Sequence, residues 1–125
     1  MLPQHQRIRT AAQFSDTQRS GSRFGNRNVV VSANIQTDAA QAPRAGFIVS
    51  KAVGNAVTRN RVKRRLRAIV AEVFDRDLGV DLSENSIDLV VRALPASAHL
   101  DFEDLRESTL HAVHGALRKF KHRGQ

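Results

Sequence analysis

The chain has 125 residues, 41% of them hydrophobic, and carries a net charge of +8, so it can bury one core but is too short for two ordinary domains. No run reaches the roughly 18 apolar residues that span a bilayer, the start lacks the apolar stretch of a secretory signal, and the absence of cysteine excludes disulfides, thiolate metal sites and thiol nucleophiles. A single cytoplasmic domain over residues 1–125, with no membrane contact, is the expectation. Six phenylalanines are the only aromatics, so its core must be mostly Val, Leu, Ile and Ala, as suits a compact α+β domain.

The charge is unevenly spread. Residues 1–71 hold thirteen Lys and Arg against only Asp16 and Asp38, whereas residues 72–125 hold seven against ten carboxylates. Arginine outnumbers lysine sixteen to four. Guanidinium forks concentrated in this way favour a polyanionic partner, because they pair with phosphate and can stack on bases.

In chain order, Ile8, Ala11, Ala12 and Phe14 give residues 3–20 a short amphipathic helical segment that ends in Ser20-Gly21-Ser22. The β-branched run Val29 to Ile35 reads as a strand and 36–43 as a loop. Ala45 to Ser50 reads as a second strand, antiparallel to the first if the two form a hairpin across that loop. Gly46 marks a bulge or a close approach within it. Asn55 is placed to cap a helix running to about Asp77, before Gly79 stops it. Val62, Leu66, Ile69 and Val73 fall within about 60° of one another on that helix and form its buried stripe. Arg61, Lys63, Arg64 and Arg67 project away from the stripe with Asn60, and Arg59 and Arg65 lie on its flanks. Ile87 to Ala93 is a strand apolar enough for the sheet interior. Asp101 caps a last helix, on which Phe102, Leu105, Thr109, Leu110, Val113, Leu117 and Phe120 recur at three- and four-residue steps. Residues 119–125 are expected to fray.

Between Arg59 and Arg67 stand six cations in nine residues and no anion. Like charges at three- and four-residue spacing destabilise a helix by a few tenths of a kcal/mol per pair, so something must neutralise them. Phosphates would do so, releasing counterions and making affinity fall steeply with salt.

The stretch Arg44-Ala45-Gly46-Phe47-Ile48-Val49-Ser50-Lys51-Ala52-Val53-Gly54-Asn55-Ala56-Val57-Thr58-Arg59-Asn60-Arg61-Val62-Lys63-Arg64-Arg65-Leu66-Arg67 closely resembles the signature of the protein component of bacterial ribonuclease P. The resemblance extends to Leu2-Pro3, Arg7-Ile8-Arg9 and Phe14, to Arg92-Ala93-Leu94-Pro95-Ala96, and to Phe102 and Leu105. It implies an α-β-β-α-β-α domain around a small mixed sheet of about four strands, with a left-handed β-α-β crossover against the usual rule. It further implies an RNA-binding subunit that assists a catalytic RNA in removing the 5′ leader of precursor tRNA. By the same resemblance Arg59, Asn60, Arg61, Lys63, Arg64 and Arg67 dock on the RNA subunit, while Phe14 and Lys51 line a cleft for the single-stranded leader. Mg²⁺ is then held mainly by the RNA, and no obligate protein partner is implied.

Gln18 and Ser32 stand where members of that family often carry aromatics, and Ala52 where many carry a second lysine. Leader stacking is therefore expected to be weaker, unless Phe24 or Phe47 compensates. No residues qualify as catalytic. Asp16 and Asp38 lie in poorly structured contexts, and Asp75 and Asp77 read as solvated helix-end residues. His111 and His114 could reach one metal but have no carboxylate fixed beside them by any motif, so no metal site is assigned. Two other readings compete. A general RNA-binding module would share the basic helix but has no reason for the Ser50-Lys51-x-x-Gly54-Asn55 approach to it. A DNA-binding regulator would need a short helix before the recognition helix, where this chain has strand-like Phe47-Ile48-Val49.

Overall fold

The computed structural model describes residues 2–37, 42–76 and 85–123. Three helices and four strands form one α+β unit in the order α1 (Ala11–Ser20), β1 (Ser22–Gly25), β2 (Val29–Gln36), β3 (Arg44–Ile48), α2 (Ala56–Phe74), β4 (Ser86–Ala93) and α3 (Phe102–His122). Short 3₁₀ turns cover Gln4–Gln6, Lys51–Val53 and Pro95–His99. The sheet is mixed, in the order β1-β2-β4-β3, with β4 antiparallel to β2 and parallel to β3.

That order corrects the expected hairpin between the second and third strands. They run in opposite directions but are not neighbours, because β4 lies between them. Every residue of β4 except Arg92 is buried, and a strand apolar on both faces gains most from a neighbour on each side. The true hairpin is β1–β2, with Phe24 opposite Val31. Its turn is built by Asn26, whose Oδ1 accepts from the backbone N–H groups of Asn28 at 2.9 Å and Val29 at 3.1 Å. Of the four residues of β1 only Phe24 favours a strand, and the strand starts inside Ser20-Gly21-Ser22, whose composition reads as a turn.

Helix starts follow local chemistry. Thr10 Oγ1 accepts from Gln13 N while Gln13 Oε1 accepts from Thr10 N, a reciprocal capping box on α1. Asn55 Oδ1 caps α2 through Thr58 N at 2.9 Å, and Asp101 Oδ1 caps α3 through Asp104 N at 2.8 Å. α2 ends at Phe74, three residues short of the expected Asp77, with Asp75 at its C-cap. Asp77 and Gly79 lie outside the described residues, as does Asp38.

The sheet has two faces with different tasks. Val29, Val31 and Ala33 of β2 stand beside Ala93, Val91 and Leu89 of β4 and face the core. There they meet Val62, Leu66, Ile69 and Val73, the stripe expected on α2, and Leu105, Val113 and Leu117 of α3. Burying each large aliphatic side chain contributes roughly 1.5–3 kcal/mol. Phe102, expected in the same set, is 39% exposed at the start of α3. The opposite face carries Arg23, Val30, Ser32, Val90, Arg92, Gly46 and Arg44, and α1 packs across it. Arg44 grips Asp88 on this face through Nε–Oδ1 at 2.9 Å and Nη2–Oδ2 at 2.7 Å.

α2 and α3 are joined by ions as well as by apolar contact. Glu72 accepts from Arg76 Nη2 at 2.6 Å and from Arg106 through Nε at 3.0 Å and through Nη2. Residues 119–122, expected to fray, are helical. Lys119 Nζ donates to the carbonyl of Arg23 at 3.1 Å, Arg123 Nη1 donates to that of Ser20 at 2.6 Å, and the Arg123 guanidinium lies 4.3 Å above the Phe120 ring. These contacts hold the helix end against β1. Residues 124–125 are outside the described span.

Candidate nucleic-acid interface

The cations of α2 fall into three rows, because residues four apart share a helix face. Asn60 and Arg64 are exposed on the outermost row, between Val57 and Ala68. Arg61 and Arg65 form a second row that leans over the Pro95–His99 turn: Arg61 Nη2 donates to the carbonyl of Ala98 at 3.2 Å and Arg65 Nη1 to that of Leu100 at 2.9 Å. Arg61 therefore belongs to the flank with Arg65, not to the free outer face on which the helical angle placed it. The third row is Arg59, Lys63 and Arg67, all half-buried. The Nε atoms of Arg59 and Arg61 are buried without a hydrogen-bond partner among the described residues.

Lys63 and Arg67 open onto a depression shared with Arg7, Ile8, Phe14, Ala45, Gly46 and Phe47. Arg7 is carried there by a parallel bridge to Ala45, and Ile8 N donates to the Ala45 carbonyl at 2.8 Å. Phe14 lies half-buried over Gly46, so the close approach expected at that glycine is made by an aromatic ring. Arg7, Arg64 and Arg67 line an adjoining hollow. The structure thus puts Phe14 in one depression with two of the α2 cations, Lys63 and Arg67. Lys51 is exposed on the turn before α2 and lines neither depression.

A second depression lies on the face of the sheet that α1 crosses, between Gln18, Arg23, Val30, Ser32, Val90, Arg92 and Leu94. Gln18 and Ser32, which stand where the resemblance leads one to expect aromatics, are both on its wall. Arg23 and Arg92 were not singled out from the sequence. The signal for Arg92 was its place as the lone cation in a mostly apolar strand, whose other charge, Asp88, pairs with Arg44; Arg23 was missed together with its strand. Phe24 does not compensate at this wall, since it faces α3, with its ring 5.4 Å from that of His111 and packed on Gly115. Among the described residues no three His, Asp or Glu side chains converge as metal ligands would.

A basic helix beside a basic, partly apolar cleft can bind an extended polyanion: phosphates on the guanidinium rows, bases against the cleft floor. The sequence profile of the ribonuclease P family matches residues 2–117. The chain belongs to the ribonuclease P protein family. It is 52% identical to a ribonuclease P protein component of Kocuria rhizophila over 120 residues, covering 95% of this chain and 98% of that one. It is 48% identical to the one from Pseudarthrobacter chlorophenolicus, over all of this chain and 87% of that one. The ribonuclease P protein of Staphylococcus aureus shares the fold with a TM-score of 0.72 at 26% identity, covering 92% of this chain and 96% of the other. The one from Thermotoga maritima does so at 0.65 and 26%, over 87% and 96%. These ribonuclease P proteins bear out the α+β class and the four-stranded mixed sheet. The matched span contains all three α2 rows and both depressions.

Proposed function

We propose that this chain is the RNA-binding subunit of a ribonuclease P ribonucleoprotein, assisting a catalytic RNA in endonucleolytic removal of the 5′ leader from precursor tRNA. The observation that carries this reading is the adjacency of the unneutralised α2 rows to the depression floored by Phe14 and Gly46, in a chain of the ribonuclease P family. Arg59, Asn60, Arg61, Lys63, Arg64 and Arg67 dock on the RNA subunit. Phe14, joined by Arg23 and Arg92 of the sheet cleft, holds the leader, and Lys51, exposed on the turn before α2, takes one of its phosphates outside the two depressions. Stacking on Phe14 is tolerant of sequence, and the surrounding guanidinium groups follow the phosphates. At Gln18 and Ser32 the cleft offers hydrogen bonds in place of rings.

The chemistry is assigned to the RNA and to Mg²⁺ bound mainly by it, and the protein contributes grip on the substrate and screening of phosphate repulsion. On this reading the protein works in the cytoplasm and needs no obligate protein partner. The test is reconstitution with a bacterial ribonuclease P RNA at low Mg²⁺: leader removal should be stimulated by the protein, while RNA-free protein cleaves nothing. Failure to stimulate, or metal-dependent cleavage by nuclease-free protein alone, would overturn it.

A further inference from the structure

We propose that the C-terminal half of α3 is a second RNA-contacting surface, which takes the phosphodiester backbone of leader nucleotides lying upstream of those in the cleft. This rests on the reading of the cleft as the leader site. Along its outward row α3 changes sign, from Glu103 and Glu107 to His114, Arg118, Lys121 and His122, and the sequence has no carboxylate side chain after Glu107. Those four residues and Leu117 line a shallow depression of about 300 Å³. The helix dipole favours a cation in the last turn by only about 0.3–1 kcal/mol, and Lys119 and Arg123 already bond the carbonyls there. Arg118 is exposed and makes no hydrogen bond or ion pair with another described residue.

The surface and the cleft lie on the two sides of β1, the edge strand of the sheet. Lys119 binds the main-chain carbonyl of Arg23, whose side chain lines the cleft, and Arg123 binds that of Ser20, two residues after Gln18 on the cleft wall. β1 is thus a common wall between the two, held to α3 at its start by Lys119 and just past its end by Asn26 Nδ2, which donates to the Ser108 carbonyl at 2.9 Å. A single strand leaving the cleft over the β1 edge past Arg23 passes Lys119 and Arg123 and then meets the outward α3 row. Arg118, Lys121 and His122 also lie beyond the span matched by the family profile, so the reading of the α2 rows and the cleft does not account for them.

The test uses reconstituted holoenzyme, precursor tRNAs with leaders of nested length, and mature tRNA, each titrated across a salt series. In the double variant Arg118→Ala/Lys121→Ala, affinity for long-leader precursors should fall about threefold to tenfold. The salt slope should shrink by about 1.4, the contribution of two single-strand phosphate contacts. Precursors whose leader only fills the cleft should bind as before. An equal loss for every substrate, mature tRNA included, would make the surface a contact for the RNA subunit and overturn the proposal, as would no loss at any length. Arg92→Ala serves as the parallel arm. If it weakens short-leader precursor but not mature tRNA while the α3 variant shows no length dependence, only the α3 surface falls. If it too fails to discriminate, the cleft reading falls and this proposal with it. Should the double variant melt early, Arg118→Gln is read in the same way.

Discussion

The ring of Phe14 lies directly over Gly46: a Cβ on that glycine would stand 2.5 Å from both Cε1 and Cζ of the phenylalanine, and 3.1 Å from Cβ of Ile8. The missing side chain on β3 is therefore what lets α1 lie across the sheet. Gly46→Ala should lower stability by about 1–3 kcal/mol through overpacking, although alanine is otherwise the better strand residue. Thermal melting of the variant checks this, and an unchanged or raised Tm would mean that the ring moves aside freely.

The three α2 rows should separate stability from RNA binding. Leu66, fully buried, should cost about 2–5 kcal/mol when changed to alanine. Arg64→Ala, on the exposed row, should leave the urea midpoint unchanged while weakening binding to the RNA subunit and flattening its salt dependence. Arg61→Ala should do both, losing about 0.5–1.5 kcal/mol of stability with its bond to the Ala98 carbonyl. Identical stabilities for the Arg61 and Arg64 variants would contradict the row assignment.

Acid should loosen the contact between α2 and α3. The Arg106 guanidinium, aided by Arg76, holds the Glu72 carboxyl down to about 2, from an ordinary 4.5. Because the folded value is depressed, the contribution is fully present above pH 4.5 and is lost as pH falls from 4.5 towards 2. In Glu72→Gln the urea midpoint should be lower at neutral pH and should vary less across that window. A variant with the full acid sensitivity of the parent would assign the effect to other carboxylates.

Most elements were legible because local chemistry agreed with packing. Asn55 and Asp101 announce their helices through side chains that reach the third backbone N–H beyond them, and the Val62-Leu66-Ile69-Val73 stripe needs only helical spacing. Pairing partners were not legible: nothing within Val29 to Ile35 says that Ile87 to Ala93, more than fifty residues later, will displace Ala45 to Ile48 from its side. β1 is held by tertiary contacts, including the packing of Phe24 on Gly115 and the Lys119 bond to Arg23, so a local pattern could not reveal it. The same contacts explain why residues 119–122 are helical where charge and position alone suggest a frayed end. For the candidate site, the density of cations from Arg59 to Arg67 was plain, but their division into rows depends on carbonyls supplied by residues 98 and 100.

The most direct measurement compares the affinity of reconstituted holoenzyme with that of the RNA subunit alone, for precursor and for mature tRNA. The protein should tighten precursor binding and leave mature tRNA nearly unchanged. Phe14→Ala should remove about 1 kcal/mol of that gain, and Lys51→Ala should reduce its salt dependence by about one phosphate contact. Equal tightening toward both tRNAs, with folded variants that weaken both alike, would contradict a leader-binding subunit and leave a nonspecific RNA clamp.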